Sequence, residues 1–99
     1  MNKIVSYLGF AKKSKNIITG QTALKRTKKK LHLILVCKTA SDNLKNLAKN
    51  LANNNDCCAI MMNIELSHLI NEENIKILAL TDENLSKAII NNKEKISIG

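Results

Sequence analysis

The residues able to do chemistry are few, and most are basic. Five of the six positions from Lys25 to Lys30 are cationic: Lys25, Arg26, Lys28, Lys29 and Lys30. A run of aliphatics, Leu31–Val36, follows at once and is interrupted only by His32. Residues 1–50 hold twelve Lys or Arg and one acid, Asp42, whereas residues 51–99 hold four Lys and seven acids. The halves therefore differ by fourteen charges, +11 against −3, within a net charge of +8. Such lopsidedness attracts polyanions, with nucleic acid or an anionic membrane as the usual partners.

Catalytic chemistry has little to work with. His32 alternates with leucines and reads as a packed or edge histidine, and His68 reads as an exposed helical one. No Walker loop, HExxH, GxSxG or GxGxxG is present, which removes the common nucleotide, zinc-protease and hydrolase signatures. Cys37, Cys57 and Cys58 have neither metal spacing nor the CxxC pattern. Adjacent strand residues point to opposite faces, so Cys57 and Cys58 are not expected to bridge. Glu72 and Glu73 read as a surface loop. The expectation is a protein that is not an enzyme and uses no cofactor and no metal.

The elements that must position the basic residues follow from periodicity. Ile4, Val5, Leu8 and Ala11 predict a helix over 3–13, trailed by Lys12, Lys13 and Lys15. Asn16–Ile18 reads as a short strand, with Thr19 as the N-cap of a helix running to about Lys28. Leu31–Val36 reads as a central strand covered on both sides. Leu44, Leu47, Ala48, Leu51 and Ala52 predict a helix over 42–52, capped by Ser41 or Asp42 and ended by Asn53–Asp56. Cys57–Met61 and Ile75–Leu80 read as strands. Leu66, Leu69 and Ile70 mark a short helix between them, and a last helix capped by Thr81 or Asp82 carries Leu85, Ala88 and Ile89. The tail 91–99 is expected to be loosely ordered. The alternation predicts one α/β domain over 1–99, with a largely parallel sheet.

Within that frame the basic residues point to RNA backbone. Tyr7 and Phe10 are the only aromatics, too few for stacking a single strand base by base. A helix start near Gly20 offers free N–H groups to phosphate. Lys25 and Arg26 follow it, and Lys12, Lys13 and Lys15 precede it.

Four blocks, LGFAKKSKNIITG (8–20), LILVCKTASDNLKNLAKN (33–50), ELSHLIN (65–71) and ILALTDENLSKAI (77–89), resemble the ribosomal L-seven-Ae / L-thirty-e superfamily, and most of all its small bacterial YlxQ-like branch. The resemblance covers about residues 3–90. It implies a three-layer α-β-α sandwich on a small mixed, largely parallel four-stranded sheet. It also implies binding of kink-turn or similarly bent RNA, ribosomal RNA first among the choices, through the helix after the first strand and a later loop. The family motif runs Gly, any, Asn, Glu, any, any, Lys. Here Gly20 is kept, Gln21 follows, Thr22 and Ala23 replace the Asn and Glu, and Arg26, or Lys25 if a gap intervenes, supplies the cation. The later loop maps to Ile70–Ile75, including Asn71, and reads INEENI, with two acids that repel phosphate.

The site expected from sequence is thus Lys12, Lys13, Lys15, Gly20, Gln21, Thr22, Lys25, Arg26 and Asn71. A protein-interaction adaptor on the same fold is the alternative. An odd cysteine number, an N-terminal apolar stretch too short for a signal peptide and the lack of an apolar run of about twenty residues lead to the expectation of a soluble cytoplasmic protein, monomeric when free, with no DNA and no membrane partner.

Overall fold

The computed structural model describes residues 3–62, 65–70 and 72–92. Helix α1 spans Lys3–Lys13, strand β1 Ile17–Thr19, helix α2 Gln21–Arg26 and strand β2 Leu33–Cys37. Then come helix α3 Asp42–Asn55, strand β3 Cys58–Met62, helix α4 Leu66–Ile70, strand β4 Ile77–Leu80 and helix α5 Glu83–Asn92. The four strands form one sheet in the order β1-β4-β2-β3.

The α/β sandwich stands as expected, but the sheet is not largely parallel. Only β2 and β3 run parallel, while β4 is antiparallel to both of its neighbours, β1 and β2. The reason lies in α4. Five helical residues rise about 7.5 Å, half of the roughly 16 Å that a five-residue strand spans. Such a helix does not carry the chain back to the strands' starting end. The chain instead re-enters the sheet from the end where β3 stops.

Register fixes which residues share a face, since paired residues point the same way and neighbours along a strand point opposite ways. Val36, Ala59 and Met61 lie against α3. Cys37, one residue on from Val36, faces away and accepts the Leu66 N–H of α4 on its Sγ at 3.3 Å. Helices therefore cover both faces, and β2 and β4, the two inner strands, are buried at every position. The core gathers Leu8 and Ala11 of α1, Leu24 of α2, Ala48 and Ala52 of α3, and Ile89 of α5 onto those strands. Strand β3 is an edge, and Cys58, Ala59 and Met61 on it are exposed.

Caps decide several boundaries. Ser41, rather than Asp42, caps α3 by accepting the Leu44 N–H at 3.2 Å. Asp82, rather than Thr81, caps α5 by accepting the N–H groups of Asn84 at 2.8 Å and Leu85 at 3.3 Å. Helix α3 continues past Ala52 to Asn55, whose Nδ2 donates to Leu51 O at 2.9 Å. Asp56, in the left-handed conformation, then closes the helix by donating its N–H to Ala52 O and Asn53 O. Thr19 does not cap α2. It ends β1, and Gly20 takes the N-cap position with no side-chain cap, while the helix stops at Arg26 instead of Lys28. The expectation for the tail falls mainly on 93–99, outside the described residues; Asn91 and Asn92 still belong to α5.

Candidate nucleic-acid interface

Strands β1 and β2 are each antiparallel to β4, so they are parallel to one another. This gives the sheet two distinct poles. At one pole β1, β2 and β3 end and β4 begins. There lie Gly20, the turn Lys38–Ser41, Glu65, the 70–75 loop and Lys76. At the other pole β1, β2 and β3 begin and β4 ends, beside Lys15, Lys28–Lys30, Asp56 and Asp82.

The Gly20 pole brings together the two regions the family resemblance points to. The Gly20 N–H donates to Ile77 O at 3.0 Å, two residues beyond the 70–75 loop. Gly20 has φ 84° and ψ 150°, a region that is nearly glycine-only. A Cβ at Gly20 would meet nothing within 4 Å, so backbone conformation alone accounts for this glycine. Helix α2 is anchored by one buried side chain, Leu24, while Gln21, Thr22, Ala23, Lys25 and Arg26 are all exposed. Six residues rise only about 9 Å, so the helix is short and its dipole modest.

Charge at this pole is mostly neutralised. Lys76 Nζ donates to Glu65 Oε2 at 2.7 Å and to Thr39 Oγ1 at 3.1 Å, and Thr39 Oγ1 donates to Glu65 Oε1 at 2.6 Å. These bonds from Lys76 and Thr39 lower the Glu65 carboxyl pKa, and the Glu65 hydrogen bond raises that of Lys76. Burial raises the pKa of the neighbouring Cys37 thiol, which keeps it a poor nucleophile. Lys12 turns toward the 70–75 loop, where its Nζ donates to Ile70 O at 3.0 Å and pairs with Glu72 Oε2 at 3.4 Å. Beside it an open depression of about 680 Å³ is lined by Ser67, His68, Glu72, Glu73 and Asn74. Two acids of the loop thus face this depression, as its sequence implies. Asn71 lies outside the described residues.

The expected grouping of Lys12, Lys13 and Lys15 with the start of α2 is corrected by the topology. Strand β1 stands between them and Gly20, so Lys13 and Lys15 belong to the opposite pole, and Lys12 is held by α4. Lys25 and Arg26, at the end of α2, lie on the flank that connects the poles. Phe10, one of the two aromatics, is 59% exposed one helical turn before Lys13. Its place off the Ile4, Leu8, Ala11 stripe signals that exposure.

His32 is half-buried with its N–H on Leu80 O, and His68 is exposed. All three cysteines are free. No cluster of three potential metal ligands occurs among the described residues. Nor is any described helix long and apolar enough to cross a membrane.

No family model matches the chain, and no curated protein does so. Among solved structures, the fold is similar to that of a protein with unknown function from Bacillus halodurans. The TM-score is 0.77 at 15% identity, over 92% of this chain and 96% of that one. At that identity the likeness speaks for the fold alone.

Proposed function

We propose that the protein is a non-catalytic RNA-binding protein, ribosomal or ribosome-associated, that grips structured RNA along α2 in the cytoplasm. One observation carries this reading. Lys13, Lys15, Lys25, Arg26, Lys28, Lys29 and Lys30 are all exposed, and the ion pairs among the described residues engage Lys12, Lys76 and Lys87 instead. The basic half keeps its charge open to a polyanion. Thr22 and Ala23 lack the side chains that the family resemblance assigns to base reading, so a kink-turn and a plain bulged duplex should differ by less than about 1–2 kcal/mol, below a good bidentate contact. The acidic depression beside the 70–75 loop favours a second reading, an adaptor that presents this pole to a basic protein segment.

The test is a salt-dependent titration of the protein against structured RNA. With about four to six phosphates neutralised, log K against log salt should fall with a slope of about −3 to −5. Absence of binding at low salt, or binding indifferent to salt, transfers the case to the adaptor. Cross-linking the protein to RNA in cells and sequencing what it holds then identifies the RNA.

A further inference from the structure

Two basic clusters that are separate in sequence meet at one end of the sheet. The Thr81 N–H donates to Asn16 O at 2.9 Å, and the His32 N–H donates to Leu80 O at 2.8 Å. The residues just before β1 and just before β2 are therefore pinned to opposite sides of the same point, the end of β4. Two strand spacings separate them, about 10 Å. Lys13 and Lys15 extend beyond one side, and Lys28, Lys29 and Lys30 beyond the other, all exposed. The second cluster is also held at its base. Leu31 is buried, and its N–H donates to Asn55 Oδ1 at 3.0 Å.

The acids nearby do not cancel this charge. Asp82 caps α5, and Glu83 pairs with Lys87 at 3.3 Å. Counting Asp82 and Asp56 in full, five lysines against two acids leave +3 at this pole. The Gly20 pole holds Lys38 and Lys76 against Asp42, Glu65, Glu72 and Glu73, which makes −2 before Lys12 is counted.

We infer that the pole formed by Lys13, Lys15 and Lys28–Lys30 is a continuous RNA-backbone surface, separate from Gly20 and supplying most of the phosphate contacts. The inference rests on the RNA-binding reading and deepens it. Bound RNA runs from this pole up the flank of α2, where Lys25 and Arg26 continue the track. The recognition is electrostatic and follows backbone rather than base sequence.

The test compares three variants of the full chain by fluorescence anisotropy with a labelled bulged RNA hairpin across a salt series. Lys28→Gln/Lys29→Gln/Lys30→Gln removes one cluster. Lys13→Gln/Lys15→Asn removes the other, with Asn chosen because Lys15 has φ 61° and Asn tolerates that conformation. Lys38→Gln/Lys45→Gln/Lys49→Gln removes three charges elsewhere. Circular-dichroism melting checks the fold of each. The first variant should lower the salt slope by about 2–3, and two lost contacts weaken binding about 60-fold at about 0.1 M salt. The second should lower the slope by about 1–2, and the control should leave it nearly unchanged. If all three variants behave alike, the surface is refuted while RNA binding stands. If only Lys28–Lys30 matter, the joined surface is refuted. If the wild-type chain binds no RNA at low salt, this inference falls together with the proposed function.

Discussion

The two poles of the sheet differ in how their charge is used. At the Gly20 pole, two cations are tied down, Lys76 by Glu65 and Thr39 and Lys12 by Glu72 and Ile70 O, and only Lys38 stands exposed without an ion pair among the described residues. At the opposite pole, Lys13 at the end of α1, Lys15 and Lys28–Lys30 have no acid bonded to them among the described residues. The first arrangement stitches loops together, joining the β2–α3 turn, the start of α4 and the start of β4. The second leaves charge for a partner. Net charge alone does not distinguish these uses, and a lysine counted toward a polyanion site first has to be shown free of a neighbour.

The largest effect expected from breaking this arrangement comes from the helix that leads from Gly20 toward the opposite pole. Leu24→Ala removes the only buried side chain of α2 and should cost about 2–5 kcal/mol, the usual range for a buried leucine. Chemical denaturation would measure it. A loss well under 1 kcal/mol would show that α2 is held by something other than Leu24.

Gly20→Ala comes next. With φ 84° and ψ 150°, an alanine pays about 1–3 kcal/mol of backbone strain. If the lysine pole provides most of the RNA contacts, affinity measured below the melting transition should stay close to wild type. A large affinity loss in a folded Gly20→Ala protein would return the centre of binding to the Gly20 pole.

Asn55→Ala sharpens the comparison from the other end. It leaves the Leu31 N–H without its partner, at a cost of about 1–3 kcal/mol. It also loosens the base of the Lys28–Lys30 segment, so hydrogen exchange at Leu31 should quicken while Gly20 is unaffected.

The smallest effect belongs to Glu65→Gln and is visible as a pH dependence. The folded carboxyl pKa lies below its ordinary value of 4.5. Its contribution is therefore complete above that value and is lost as pH falls through the lower folded one. Lys76 is shifted upward, so its contribution is complete below 10.5 and fades as pH rises through its raised folded value. Thermal melting of Glu65→Gln should show a flatter acid limb than wild type. Identical limbs would mean that the pair does nothing for stability.

Much of this fold was legible from apolar spacing. The stripe Leu8, Ala11 placed α1 over 3–13, and an apolar run with two buried faces identified β2. Boundaries slipped where side-chain bonds decide them: Asn55 extends α3 by taking the Leu31 N–H, and Gly20 displaces Thr19 because its backbone sits where threonine is strained. Strand direction was not legible. Burial reports that β4 is central but not which way it runs, and whether the starts of β1 and β2 share a pole depends on that direction. The partnership of Lys13 and Lys15 with Lys28–Lys30 therefore emerges only from the register of Asn16 and His32 against β4.

The placement of β4 also sets the order in which the domain can assemble. Strand β1 is complete at Thr19, yet its partner among the described residues, β4, begins at Ile77. The β2-α3-β3 unit contains its own pairing and is free to close early, since its contacts are short in sequence. Three strands made over the first two thirds of the chain wait for a keystone made near its end. A chain released before Leu80 has a β1 with nothing to pair with, and its Ile17 and Ile18 lack their seat. Synthesis of this protein therefore passes through a nascent species whose two lysine clusters are not yet joined and whose hydrophobic sheet is still open, the kind of exposed surface that favours aggregation.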